Sequence, residues 1–221
     1  MTKTMRRPDN ELKDAVVQEL RWVPSVNSTH IGVAVNNGAV TLSGEVDSFP
    51  EKMLAGRAVE RVPGVTAIAQ EITVHSAVSQ MTDTDIAMQA GDAIQRAVDV
   101  PETVKVTVHD HIVTLSGSVH WHYQRQAAER AVHYLKGVQS VESTVMIRPT
   151  VSTENIKAAI GAALKRDARI ESQHITVNSD EAGVVTLEGT VNSWPQRRQA
   201  ENASWAAPGV TEVVDHLRID Y

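Results

Sequence analysis

Cysteine is absent from all 221 residues, which removes disulfide bonds, thiolate nucleophiles and cysteine-ligated metals from the chemistry open to this chain. No stretch approaches the about 20 apolar residues that a bilayer-spanning helix requires. Positive charge is in deficit as well: 21 lysines and arginines stand against 27 aspartates and glutamates, a net charge of -6 with a pI near 5.8. The chain as a whole therefore lacks the basic footprint of a nucleic-acid binder. Phosphate-binding glycine loops, dinucleotide fingerprints, the G-x-S-x-G elbow and the H-E-x-x-H zinc motif do not occur. The common local signatures of enzymes are thus missing, and no catalytic residue, cofactor or metal is expected. The opening segment MTKTMRRPDN is basic with no apolar stretch after it, so no secretory signal is read there and the expected compartment is the cytoplasm. Hydrophobic and charged contents of 42% and 22% belong to a folded, globular chain.

What is present is written three times. Val40-Thr41-Leu42-Ser43-Gly44 returns as Val113-Thr114-Leu115-Ser116-Gly117 and as Val185-Thr186-Leu187-Glu188-Gly189, at a period of 72 to 73 residues. Twenty residues after each of these glycines stands another, Gly64, Gly137 and Gly209, each followed by valine. Matched spacing in triplicate reads as three small domains in series. Units of about 65 to 70 residues bury only about 60% of their unfolded surface, so neighbours are expected to lean on one another.

Each unit opens with an amphipathic helix, marked by Leu12, Val16 and Leu20, then by Ile86, Ala90, Ile94 and Val98, then by Ile156, Ile160 and Leu164. Alternating Ile31, Val33 and Val35, the turn Asn36-Asn37-Gly38, and alternating Val40, Leu42, Gly44 and Val46 describe a hairpin with one apolar face. A second helix begins at Ser48-Phe49-Pro50-Glu51 and at Ser193-Trp194-Pro195-Gln196, both matching a capping box. Its alanines (Ala55 and Ala58, Ala128 and Ala131, Ala200 and Ala203) line one side. Because Gly44, Gly117 and Gly189 share the inward parity of their strands, a close contact between these glycines and the helix is expected. Helix ends near Gly64, Gly137 and Gly209 precede a third strand. The unit is α-β-β-α-β, an α+β fold in which a three-stranded mixed sheet carries two helices on one face. The crossover into the third strand is expected to be right-handed and to pair in parallel.

This order of elements, with the V-x-L-x-G strand and the later P/K-G-V, resembles the BON-domain family in three tandem copies, over residues 9–75, 84–148 and 152–220. The resemblance implies a non-enzymatic bacterial module, linked in that family to envelope maintenance, osmotic stress and proposed phospholipid binding, with potassium binding among some cytoplasmic relatives. Many relatives carry a signal peptide, which makes the periplasm the alternative compartment. A phospholipid surface, a protein partner and a monovalent cation are accordingly the ligand classes to weigh.

Candidate recognition residues gather where the second helices start. Phe49, Trp121, Tyr123 and Trp194 are aromatic, Arg125, Arg197 and Arg198 lie beside them, and such pairs suit an anionic lipid headgroup layer. Trp121 stands out because it occupies the position of the capping serine in the other two copies. His109, His111, His120 and His122 all fall in the second copy, but His111 and His120 are separated by about 30 Å of extended strand and do not form one mononuclear site. Oxygen-rich turns such as Asn36-Asn37-Gly38 and Asp180-Glu181-Ala182-Gly183 are the places to look for a potassium cage. Residues 75–83 read as a flexible tether, whereas Pro149-Thr150-Val151 is a short joint. The last two domains are therefore expected to be fixed together, with a groove between them as the preferred site, and the first to move more freely.

Overall fold

The computed structural model describes residues 7–75, 81–150, 156–166 and 174–220. Most of the 75–83 tether and Val151 of the short joint lie outside these. Domain 1 runs α1 (Asp9–Arg21), β1 (Ile31–Asn36), β2 (Ala39–Val46), α2 (Phe49–Glu60), β3 (Ala67–Val74). Domain 2 repeats it as α3 (Asp83–Arg96), β4 (Lys105–His109), β5 (Ile112–Ser116), β6 (Ser118–Val119), α4 (His122–His133), β7 (Ser140–Ser143) and β8 (Met146–Ile147). Domain 3 comprises α5 (Ile156–Arg166), β9 (Ile175–Ser179), β10 (Val184–Val191), α6 (Trp194–Trp205) and β11 (Glu212–Ile219).

Each sheet places the V-x-L-x-G strand in the middle, antiparallel to the strand before it and parallel to the strand after α2, α4 or α6. In domain 2 the central and last strands are each interrupted, and β6 pairs with β8 as a separate short ladder. Alternation divides the faces: Val40, Leu42 and Val46 are buried against Leu12, Val16, Leu20, Ala55 and Ala58, while Ser43 and Glu45 face outward. Both helices therefore share one side of the sheet. Burying each leucine or valine of that stripe contributes about 1.5–3 kcal/mol. Ile86, Ala90 and Ile94 perform the same task in domain 2, but Val98 does not. The helix ends at Arg96, and Val98 is 99% exposed, because the 3.6-residue period stops having meaning once the backbone leaves the helix.

The hairpin turns are braced from α1 and α3. Asn37 and Gly38 take positive φ, as do Asp110 and His111 in domain 2 without any glycine. In both cases the first helix supplies an aspartate: Asp9 accepts the N–H groups of Asn37 and Gly38 at 2.8 and 3.1 Å, and Asp83 those of Asp110 and His111 at 2.9 and 3.0 Å. Two charge-assisted bonds offset the left-handed strain of that turn.

The repeated strand glycines pack differently from the expectation. Gly44, Gly117 and Gly189 have φ of 120°, 113° and 121°, and a Cβ at each would collide with the carbonyl oxygen of His30, Thr103 or His174, just before the first strand. The close neighbour is backbone of the adjacent strand, not the alanine side of the helix. Positive φ turns the Cβ direction away from the inward parity that regular alternation would assign. Gly117→Ala is therefore expected to destabilise the protein by about 1–3 kcal/mol. Gly91→Ala, in the interior of α3 with nothing near its Cβ position, is expected to stabilise by about 0.5–1 kcal/mol. Urea unfolding of both variants checks the pair, and equal effects would contradict the assignment.

Candidate functional site

The starts of α2 and α6 are built alike. Ser48 and Ser193 accept the N–H of Glu51 and Gln196 at 3.4 and 3.3 Å. The return half of the box is displaced by one residue: Glu51 Oε2 accepts the N–H of Asp47, and Gln196 Oε1 that of Asn192. Glu51 uses its other oxygen on the N–H of Asn27 at 2.7 Å, tying the helix start to the loop after α1. Trp121 has no acceptor atom, so the serine half is missing in domain 2. Gln124 there accepts the N–H groups of both His120 and Trp121, at 3.0 and 3.1 Å.

The first residue of each of these helices meets the end of another domain's equivalent helix. Phe49, first in α2 and 6% exposed, sits among the core residues of domain 2 and lies edge-on to His133, the last residue of α4, at 5.3 Å between ring centres. His122, first in α4, stacks on Trp205, the last residue of α6, at 4.2 Å and 8° between planes, and Arg125 covers the same indole. Trp194, first in α6, donates its indole N–H to the carbonyl of Val65 just beyond α2 at 2.9 Å, and Arg198 forms an ion pair with Glu60, the last residue of α2. Domain 1 thus touches both other domains, contrary to the expectation that only the second and third would be fixed together. Aromatic side chains at its own helix start and backbone at its helix end hold it, whatever the length of the tether.

Five of the seven residues picked from sequence for lipid or partner binding are engaged inside the protein: Phe49, Arg125, Trp194, Arg197 and Arg198. Arg197 binds Asp215 at 2.7 Å and lies over the Trp194 ring. Trp121 is half-buried, and Tyr123 is 51% exposed. Trp205, which sequence reasoning did not select, is the partner of both His122 and Arg125. Its signal was position, twelfth in a helix whose first residue had already been noticed.

The histidines separate. His109 is exposed, and its ring nitrogen comes close to carboxylates of Asp83 and Asp110. Asp83, however, is committed to the hairpin turn, and the N–H of His111 is the main cause holding its carboxyl below the usual range. His111 and His120 contact the carbonyls of Gly137 and Arg148 at 3.1 and 2.9 Å. The candidate potassium turns have internal bonds as well, from Asp9 to Asn37 and Gly38, and from Asp180 to the N–H of Val184.

His122 is electrically distinctive. Burial, and then the charge of Arg125, push it down to about 4. Arg125 Nη2 lies 3.0 Å from His122 Nδ1; since guanidinium can only donate, Nδ1 accepts and the ring is neutral. His133 is lowered too, by burial first and then by Arg57 and Arg130.

The BON-domain family model matches residues 8–76, 82–149 and 152–221. The chain belongs to the BON-domain family. It is 32% identical over 127 residues to osmotically-inducible protein Y of Escherichia coli (strain K12), covering 52% of this chain and 61% of that protein. The match thus spans less than two thirds of that relative's length. Among solved structures it aligns with CdsD, a structural protein of the type III secretion system of Chlamydia trachomatis, at 13% identity and a TM-score of 0.26, covering 94% of this chain and 91% of that one. A PrgH periplasmic domain aligns at 10% identity with a TM-score of 0.23, covering 87% of this chain and 96% of that one.

Docking keeps His122 and His133 neutral, so undocked domains bind protons more readily in acid. The docking contribution is full above about pH 6.5 and is expected to be lost as pH falls from there toward about 4. Trp205 fluorescence should shift to the red over that window, with an increase in the radius of gyration by X-ray scattering. His122→Phe should reduce the shift, and a profile flat from pH 7 to 4 would contradict the reading.

Proposed function

We propose that this chain is a non-catalytic binding protein of the osmotic-stress response, acting in the cytoplasm, and that it recognises a protein partner through domain 2. The observation that carries the surface is the distribution of exposed apolar side chains. Of the six large ones among the described residues, Met88, Val98, Tyr123, Tyr134 and Met146 belong to domain 2, and only Trp22 lies elsewhere. Met88 and the walls Val100, Val104 and Val106 border a groove of about 710 Å³ between α3 and β4, rimmed by Asp92, Glu102 and Lys105. Exposed apolar groups with a polar rim mark interaction surfaces. Membership of the BON family and similarity to an osmotically inducible protein support the stress-associated, non-catalytic part of the reading.

Charge favours protein over an anionic phospholipid surface. Arg61, Arg125, Arg197 and Arg198 each face an acidic partner within the chain, and the groove rim mixes both signs. Tyr123, exposed beside Trp121 at the start of α4, is the observation that favours phospholipid as a second reading.

The test uses the full chain carrying Met88→Ser and Val98→Ser together. Both positions are exposed, so stability should change by no more than about 0.5 kcal/mol per site. The partner cross-linked in osmotically shocked cells should be recovered at least tenfold less, while flotation with anionic vesicles at low salt stays unchanged. Loss of flotation in Tyr123→Ser, with cross-linking unaltered in the double variant, would replace the protein reading by the phospholipid one. Fractionation of the native cell checks the compartment.

A further inference from the structure

The three contacts between helix ends form a cycle. The start of α2 rests on the end of α4, the start of α4 on the end of α6, and the start of α6 on the end of α2. The residues are equivalent by position: Phe49, His122 and Trp194 each come first in a 12-residue helix, while His133, Trp205 and Glu60 each come last. Every domain therefore offers one donor end and one acceptor end. This is the geometry of a head-to-tail contact that closes after three steps, as in a cyclic trimer, except that here the three copies are joined in one chain.

The three joints differ in chemistry. Between domains 1 and 2 it is apolar, through Phe49, with Met53 and Val74 packed on the same core. Between domains 2 and 3 it is a stack of His122, Trp205 and Arg125. The joint that closes the cycle is polar: the indole of Trp194 on the Val65 carbonyl, 129 residues away, and Arg198 with Glu60. Domains 1 and 3 are not consecutive, so this joint is the one that no linker assists. A positive side chain at the negative end of α2 adds a favourable helix-dipole interaction.

We propose that this closing joint is a latent self-association surface, and that the partner it fits is a second copy of this chain. Closed within one molecule, the donor end of α6 and the acceptor end of α2 satisfy each other and the protein is a monomer. Opened, they remain complementary, and the start of α6 in one molecule binds the end of α2 in another. The other two joints keep each molecule's remaining domains together, so the product is a ring or chain of linked molecules. Breaking closure thus converts a monomer into a head-to-tail assembly, by the same contact and without a new surface.

Charge exchange across Arg198 and Glu60 tests this with the full chain. Arg198→Glu alone sets two acids face to face, and Glu60→Arg alone sets two bases; each should open the molecule without offering itself a matching copy. By X-ray scattering each single variant should exceed the about 17 Å radius of gyration of a compact chain of this length. By light scattering each should stay monomeric. Mixed in equal amounts, the two variants become complementary in both directions, and a species of at least twice the monomer mass should appear. The double variant Glu60→Arg, Arg198→Glu should return to a compact monomer. Circular dichroism of all four proteins verifies that the domains remain folded, and rescue by the double variant separates an open molecule from a misfolded one. Single variants as compact as the parent, or a mixture that stays monomeric although both components have opened, would overturn the proposal.

Discussion

A domain of fewer than 70 residues with helices on only one face of its sheet cannot cover its own helix ends, and the structure depends on how that deficit is met. Each second helix begins with a ring, whether Phe49, His122 or Trp194, that is too large to be enclosed by the domain that carries it. The nearest apolar or carbonyl-rich surface is the far end of another second helix. Phe49 enters the core of domain 2, and Trp205 packs with the cores of both domain 2 and domain 3. The domain boundary in sequence is therefore not a boundary in packing. Stability and relative orientation are coupled, because removing a ring at a joint exposes apolar surface on two domains at once.

The caps show how that demand acts on local sequence. In domains 1 and 3 a serine starts the helix and an acid or amide three residues on reaches back, while proline fixes the first turn. In domain 2 the serine is replaced by Trp121 and the proline by Tyr123, and Gln124 alone ties the preceding N–H groups. That helix start gives up one capping bond where its ring, His122, is the one that must stay neutral to accept from Arg125. The aspartates of α1 and α3 follow the opposite logic. Asp83, with Asp110, has the look of a metal cluster beside His109, yet its carboxylate, like that of Asp9, braces a hairpin turn in left-handed backbone, a use that recurs at the same place in two domains.

Much of the fold was legible because local rules repeat. Ile86, Ala90 and Ile94, read as one face of a helix, are buried together; Val40, Leu42 and Val46 alternate inward; Asn37 and Gly38 turn the hairpin. Val98 was misplaced because periodicity carries no marker for where the helix stops. Gly44 was assigned the right importance and the wrong neighbour, because regular alternation presumes an ordinary φ and its φ is 120°. The aromatic and basic residues at the helix starts were recognisable as unusual, but their spacing could not distinguish a surface offered to lipid from one already filled by another domain. Of the seven residues picked there, Tyr123 and Arg198 are exposed, and Arg198 is already paired with Glu60.

By itself the sequence determined three α-β-β-α-β units, the inner and outer faces of each sheet, and the helix caps, since all of these depend on contacts within about 30 residues that leave a period or a motif. Only the tertiary structure decided that Phe49 belongs to the core of domain 2, that Trp205 lies beneath His122 and Arg125, and that Trp194 reaches the carbonyl of Val65. Those contacts join residues about 80 to 130 positions apart. Complementarity of shape and charge across such distances has no period in the chain; it exists once the domains have folded and their uncovered ends find one another.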